Sequence, residues 1–107
     1  MNDPSRNQHI EDNFYTFNDK FIELFSDIKK GLEACGGHQK DITVMDGLIQ
    51  ALQLGDYASA RTQLLNAKLE PLLEETFDNL KLNSDLTSLR IRMANLGLLE
   101  ADASHYL

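Results

Sequence analysis

Along the first third of the chain, large apolar side chains return at alternating intervals of four and three, at Ile10, Phe14, Phe17, Phe21, Leu24 and Ile28. That recurrence puts them on one face of an α-helix. Phe25 and Leu32 widen the stripe to the breadth of a bundle face, and Gly36 and Gly37 supply a stop, so the spacing predicts one long helix from Ile10 to about Ala34. The polar residues 1–9 ahead of it are expected to form a mobile arm. A second helix is predicted from Asp41 as N-cap to about Leu54, with Val44, Met45, Leu48, Ile49 and Leu52 facing inward. Gly55 closes it and Asp56 caps a third, in which Tyr57, Ala60, Leu64 and Leu65 face the core. Leu48–Ala60 therefore reads as a tight helical hairpin.

Pro71 fits only the first turn of a helix, which places a boundary near Lys68–Glu70 and a fourth helix running through Leu80. Its inner face would comprise Leu69, Leu72, Leu73, Thr76, Phe77 and Leu80. Asn83, Ser84 and Asp85 offer caps for a fifth helix whose apolar positions are Leu86, Leu89, Met93 and Leu96, weakened at its end by Gly97. The tail from Leu98 to Leu107 reads equally as a frayed turn or as an apolar strap. No segment alternates with a period of two, and valine occurs once, so the expected fold is an all-α bundle of about five helices, one domain over 10–107.

Composition agrees with that picture and narrows the functional classes. A chain of 107 residues, 42% hydrophobic and 25% charged, has the size and balance of one globular domain and needs no disulfide or metal to hold a core. Its apolar runs are too short to cross a membrane, and the polar start lacks the order of a signal peptide. With a single cysteine, Cys35, the expected location is the cytoplasm. Seventeen acidic residues against ten basic give a net charge of −7, spread along the chain. Phosphate recognition needs clustered Lys and Arg, so a nucleic-acid partner is not expected.

Candidate chemistry is sparse. Cys35-Gly-Gly-His38 brings a thiol and an imidazole close, but His9 and His105 lie near opposite ends of the chain, short of the three or four ligands of a metal site. Cys35 also falls at a predicted helix C-terminus, unlike the helix N-termini where activated cysteines sit. Glu11-Asp12 and Glu74-Glu75 are carboxylate pairs, yet adjacent helical residues point about 100° apart. Neither a phosphate loop nor a nucleophile elbow is present. No enzyme, cofactor or metal is expected.

The stretch LIQALQLGDYASA, Leu48 to Ala60, resembles the helix-turn-helix of tetratricopeptide-type repeats, with small Ala58 and Ala60 at close-packing positions. The longer run GDYASARTQLLNAKLEPLL, followed by LKLNSDLTSLRIRMANLG, is similar to the small tetratricopeptide-like subunits of type III secretion needle chaperones. That resemblance, over Leu48 to about Gly97, implies a groove that cradles the C-terminal helix of a secretion subunit. The same hairpin also resembles the helical domain shared by the steroid receptor RNA activator protein and the COPII outer-coat protein, although the tryptophans typical there are missing.

Both resemblances imply a non-catalytic interaction module. The expected mechanism is a small acidic chaperone or adaptor that captures a partner's amphipathic helix on Leu48, Leu52, Tyr57, Leu64, Leu69, Leu72, Leu73 and Phe77. Two alternatives stand beside it. One is an inhibitor presenting carboxylates in place of phosphates, with Asp12, Asp19, Glu23, Asp27, Glu74, Glu75 and Asp78 as candidates. The other is a homodimer formed through the first helix. The final His105-Tyr106-Leu107 offers a further docking end.

Overall fold

The computed structural model describes residues 4–95, and among them every regular element is an α-helix. Six helices follow in order: α1 (Pro4–Thr16), α2 (Asn18–Cys35), α3 (Gln39–Gln53), α4 (Tyr57–Asn66), α5 (Leu69–Glu75) and α6 (Leu80–Asn95). The all-α class is as the periodicity predicts, with one helix more. The backbone groups into two compact units, divided in the chain between Ala67 and Lys68.

In the first unit, the long amino-terminal helix is two helices. Phe17 leaves the helical region, at φ −111° and ψ 29°, and separates α1 from α2. The separation lets α1 turn onto α4, where Arg61 Nε donates to Glu11 Oε2 at 3.2 Å and the Tyr15 and Tyr57 rings meet edge-on with centroids 6.0 Å apart. Phe14 and Phe21, either side of the break, still pack edge-on at 4.9 Å. Helix begins at Pro4, well ahead of the expected start at Ile10, because proline is favoured at a first helical position. One turn on, Gln8 Nε2 donates to Asp12 Oδ1 at 2.8 Å. Ile10, Phe14, Phe21, Phe25, Ile28 and Leu32 are buried. Leu24 is half-buried and Phe17 is 41% exposed, so both drop out of the stripe while the remaining positions keep one phase across the break.

The glycine pair Gly36 and Gly37, both at positive φ, turns the chain from α2 into α3. Helix α3 propagates back to Gln39, past the expected cap Asp41, and stops only at these glycines; His38 takes the N-cap position. Lys29 Nζ reaches Asp46 Oδ1 at 2.7 Å across the resulting antiparallel pair. Met45, Leu48, Ala51 and Leu52 form the buried face of α3, with Val44 and Ile49 half-buried beside it.

The α3–α4 turn is built as the sequence predicts. Gly55, at φ 74°, donates its N–H to Leu52 O at 3.2 Å, and Asp56 N–H donates to Ala51 O at 2.8 Å, a Schellman closure of α3. Asp56 then turns its side chain forward: Oδ1 accepts from Ser59 N–H at 3.1 Å and caps α4. Ala60 and Leu64 are fully buried, but Leu65 is exposed, because the buried face of α4 advances by four and the next residue points away.

The second unit pairs α5 with α6, and Arg90 Nε meets Glu70 Oε1 at 2.9 Å between them. Pro71 occupies the third position of α5, where a helical N–H would have no intrahelical partner. The predicted fourth helix ends at Glu75 instead of continuing through Leu80. Thr76, the one buried polar residue described, donates Oγ1–H to Leu72 O at 2.6 Å while its N–H donates to the same oxygen at 3.0 Å. The cap of the last helix is Asn79, not residues 83–85: its Oδ1 accepts from Leu82 N–H at 3.1 Å. Leu82, Leu86, Leu89 and Met93 are the buried stripe of α6, while Leu96, Gly97 and the tail from Leu98 lie outside the described residues.

Candidate functional site

The eight residues expected to line a groove separate into two groups. Leu48, Leu52, Leu64, Leu69 and Leu72 are core, all at most 4% exposed, and offer no area to a partner. Tyr57 and Leu73 are half-buried. Phe77 alone stands out in solvent, 74% exposed, and Leu80, three residues on, is 82% exposed. The expected inner face of the fourth helix is thereby corrected at both residues. The helix ends before they could be drawn inward.

Phe77 and Leu80 flank the turn between α5 and α6, and that turn is held from both sides. Asn79 N–H donates to Thr76 O at 2.9 Å, Asn83 N–H donates to Asn79 O at 2.9 Å, and Asn83 Nδ2 donates back to Leu73 O at 3.1 Å. With the Thr76 and Asn79 side-chain bonds these fix the backbone that carries both apolar side chains. A contact surface already ordered in the free protein loses less entropy on association. Glu74, Glu75 and Asp78 are exposed around it, so the apolar pair sits in acidic surroundings.

The second surface feature belongs to the first unit. The break between α1 and α2 opens a notch of about 300 Å³ lined by Tyr15 through Lys20. Tyr15 is 70% exposed at its rim, and Asn18 Oδ1 is buried there without a hydrogen-bond partner.

Of the carboxylates considered as phosphate substitutes, Asp12, Asp19, Glu23 and Asp27 lie on the first two helices, the first three exposed and Asp27 half-buried. Lys29 has a displaced titration: hydrogen bonding and charge attraction from Asp46 raise its pKa above the ordinary lysine value. Cys35 is exposed at the end of α2, and His38 Nδ1 lies 3.7 Å from Asp41 Oδ2. Among the described residues no three His, Cys, Asp or Glu side chains converge as metal ligands, and no helix is long and apolar enough to cross a membrane.

Phe77 is legible in the sequence only as one more position of a continuing helix stripe. The signal that contradicts that stripe is Asn79, an N-cap residue directly before Leu80. No family model matches this chain, and no curated protein and no solved structure matches it.

Proposed function

We propose that the chain is a non-catalytic interaction module, a small acidic chaperone or adaptor, that binds an amphipathic helix of a partner protein. The observation that carries this reading is the pair Phe77 and Leu80, two large apolar side chains held in solvent on a hydrogen-bonded turn. Burying each against a partner is worth roughly 1.5–3 kcal/mol, and aromatic anchors of this kind dominate interface energetics. Glu74, Glu75 and Asp78 favour a helix whose apolar face is flanked by Lys or Arg. The contact is an exposed edge rather than the groove that the leucine spacing suggested, since those leucines are core.

The test is a tagged pull-down from native lysate, washed at low salt and at about 1 M salt, where screening acts within ~3 Å, with the double variant Phe77→Asp/Leu80→Asp in parallel. The expected result is a stoichiometric partner that survives the high-salt wash and is lost from the variant, whose helicity and Tm stay unchanged because both positions are exposed. A partner retained by the variant and released by salt would replace this reading with an inhibitor that presents carboxylates in place of phosphates, from among Asp12, Asp19, Glu23, Asp27, Glu74, Glu75 and Asp78.

A further inference from the structure

Helices α1 and α2 are in phase with each other although they are not in line. At about 100° per residue, a straight helix over residues 4–35 would carry Ile10, Phe14, Phe21, Phe25, Ile28 and Leu32 on one strip about 60° wide. All six are buried residues of the two separate helices. The break contains neither glycine nor proline; its sequence is Thr16-Phe17-Asn18. Helical bonding persists up to and beyond it, with Phe17 N–H donating to Asn13 O at 3.0 Å and Phe21 N–H to Phe17 O at 3.0 Å. A single residue, Phe17, has left the helical region.

Helix α1 is held on α4 through Glu11 with Arg61 and Tyr15 with Tyr57, and on α2 through Phe14 with Phe21. The contacts with α4 are between helices, not within one, so they are equally available from a second copy of the chain.

We propose that this protein exchanges α1 between two copies, the break at Phe17 straightening into one continuous helix of about 48 Å while each α1 docks on the α4 of the other molecule. The exchange keeps every α1–α4 contact, now between chains. It gains the helical bonds for the N–H groups of Asn18, Asp19 and Lys20, which open α2 in the closed form. It also brings the two copies together at the hinge. There Phe17, 41% exposed in the single chain and next to the buried strip on a straight helix, gains an apolar surface to pack against. A one-residue hinge with no helix breaker, between two faces that agree in phase, is the arrangement that invites such an exchange. The occupant of the α4 face is therefore fixed: α1 of the same chain when dilute, α1 of a second copy when concentrated.

The decisive experiment uses the full chain with Cys35→Ser and both tyrosines intact for the mass measurement, and the same chain with a cysteine pair, Tyr15→Cys and Tyr57→Cys, joined by a short bis-maleimide, to report which chains are linked. Protein refolded at high concentration is separated by size exclusion with light scattering, then crosslinked and run under denaturing conditions. The expected result is a species of twice the chain mass whose crosslinks join two chains, beside a monomer whose crosslinks stay within one. A second arm places proline at the hinge, Asp19→Pro, where the closed form makes no use of that N–H but a straight helix requires it; the double-mass species should be lost and the monomer kept. If that variant fails to fold, Lys20→Pro serves the same purpose in the same turn. Crosslinks confined within single chains at every concentration, or a double-mass species untouched by the proline, would overturn the proposal.

Discussion

Among single residues, Asp56 is committed twice: its backbone N–H closes α3 and its carboxylate opens α4. Both roles follow from the local sequence Gly55-Asp56, which is why this turn is legible in the order of residues alone. Lys29 is different, because nothing in the sequence pairs it with Asp46 seventeen positions away. Its raised pKa carries a defined pH signature. A group whose pKa is higher folded than unfolded stabilises the fold fully below its unfolded value, about 10.4 for lysine, and loses that contribution as pH rises through the folded value. The urea midpoint of the native protein should therefore exceed that of Asp46→Asn by a small margin at pH 9, and the margin should vanish toward pH 12. A margin that grows with pH would show that the ion pair is not the source.

At the scale of elements, the two places where apolar spacing misleads have one cause. Spacing records which side chains prefer the interior, not where the backbone stops bonding to itself. The stripe from Ile10 to Ile28 runs unbroken through Phe17, and the stripe from Leu69 to Leu80 runs unbroken through the turn at residues 76–79. In the first case the break depends on α4, forty residues ahead, which supplies the partner for α1. In the second the local signal exists in Asn79 and is outweighed by the apolar count. That assignment is testable: Asn79→Ala should cost about 1 kcal/mol of stability, the usual worth of an N-cap, by urea denaturation. Ser84→Ala, at the start that the apolar pattern suggests for this helix, should cost much less. Equal losses would return the helix start to residues 83–85. Where sequence and backbone signals coincide, at the Gly36-Gly37 stop and the Gly55-Asp56 turn, the expected boundaries lie within a few residues of those found.

For the molecule as a whole, the dominant surface property is its charge of −7. Ion pairs such as Lys29 with Asp46, Arg61 with Glu11, Lys81 with Asp85 and Arg90 with Glu70 each cancel one charge against another and leave the acidic excess as it was. Exposed pairs are worth little individually, whereas the excess charge repels itself throughout the compact state. Raising NaCl from about 20 mM to about 300 mM, where the Debye length shrinks to below ~8 Å, should therefore raise Tm. A fall in Tm would show that the pairs outweigh the repulsion. The candidate contact site, by contrast, owes little to charge, because its two anchors are apolar and its acidic neighbours only choose among partners. This part of the molecule is the least legible in the sequence, since exposure of Phe77 follows from a turn that the apolar pattern conceals.

The docking of α1 on α4 also sets an order of events during synthesis. Tyr15 leaves the ribosome about forty residues before Tyr57, which at roughly 5–20 residues per second is a wait of about 2–8 s. Through that interval Ile10 and Phe14 have no α4 of their own chain to cover them. On a crowded message the neighbouring nascent chain, further along, already carries one. Under the exchange proposed above, close spacing of ribosomes acts as high local concentration, offering α1 a neighbour's α4 before its own has been made.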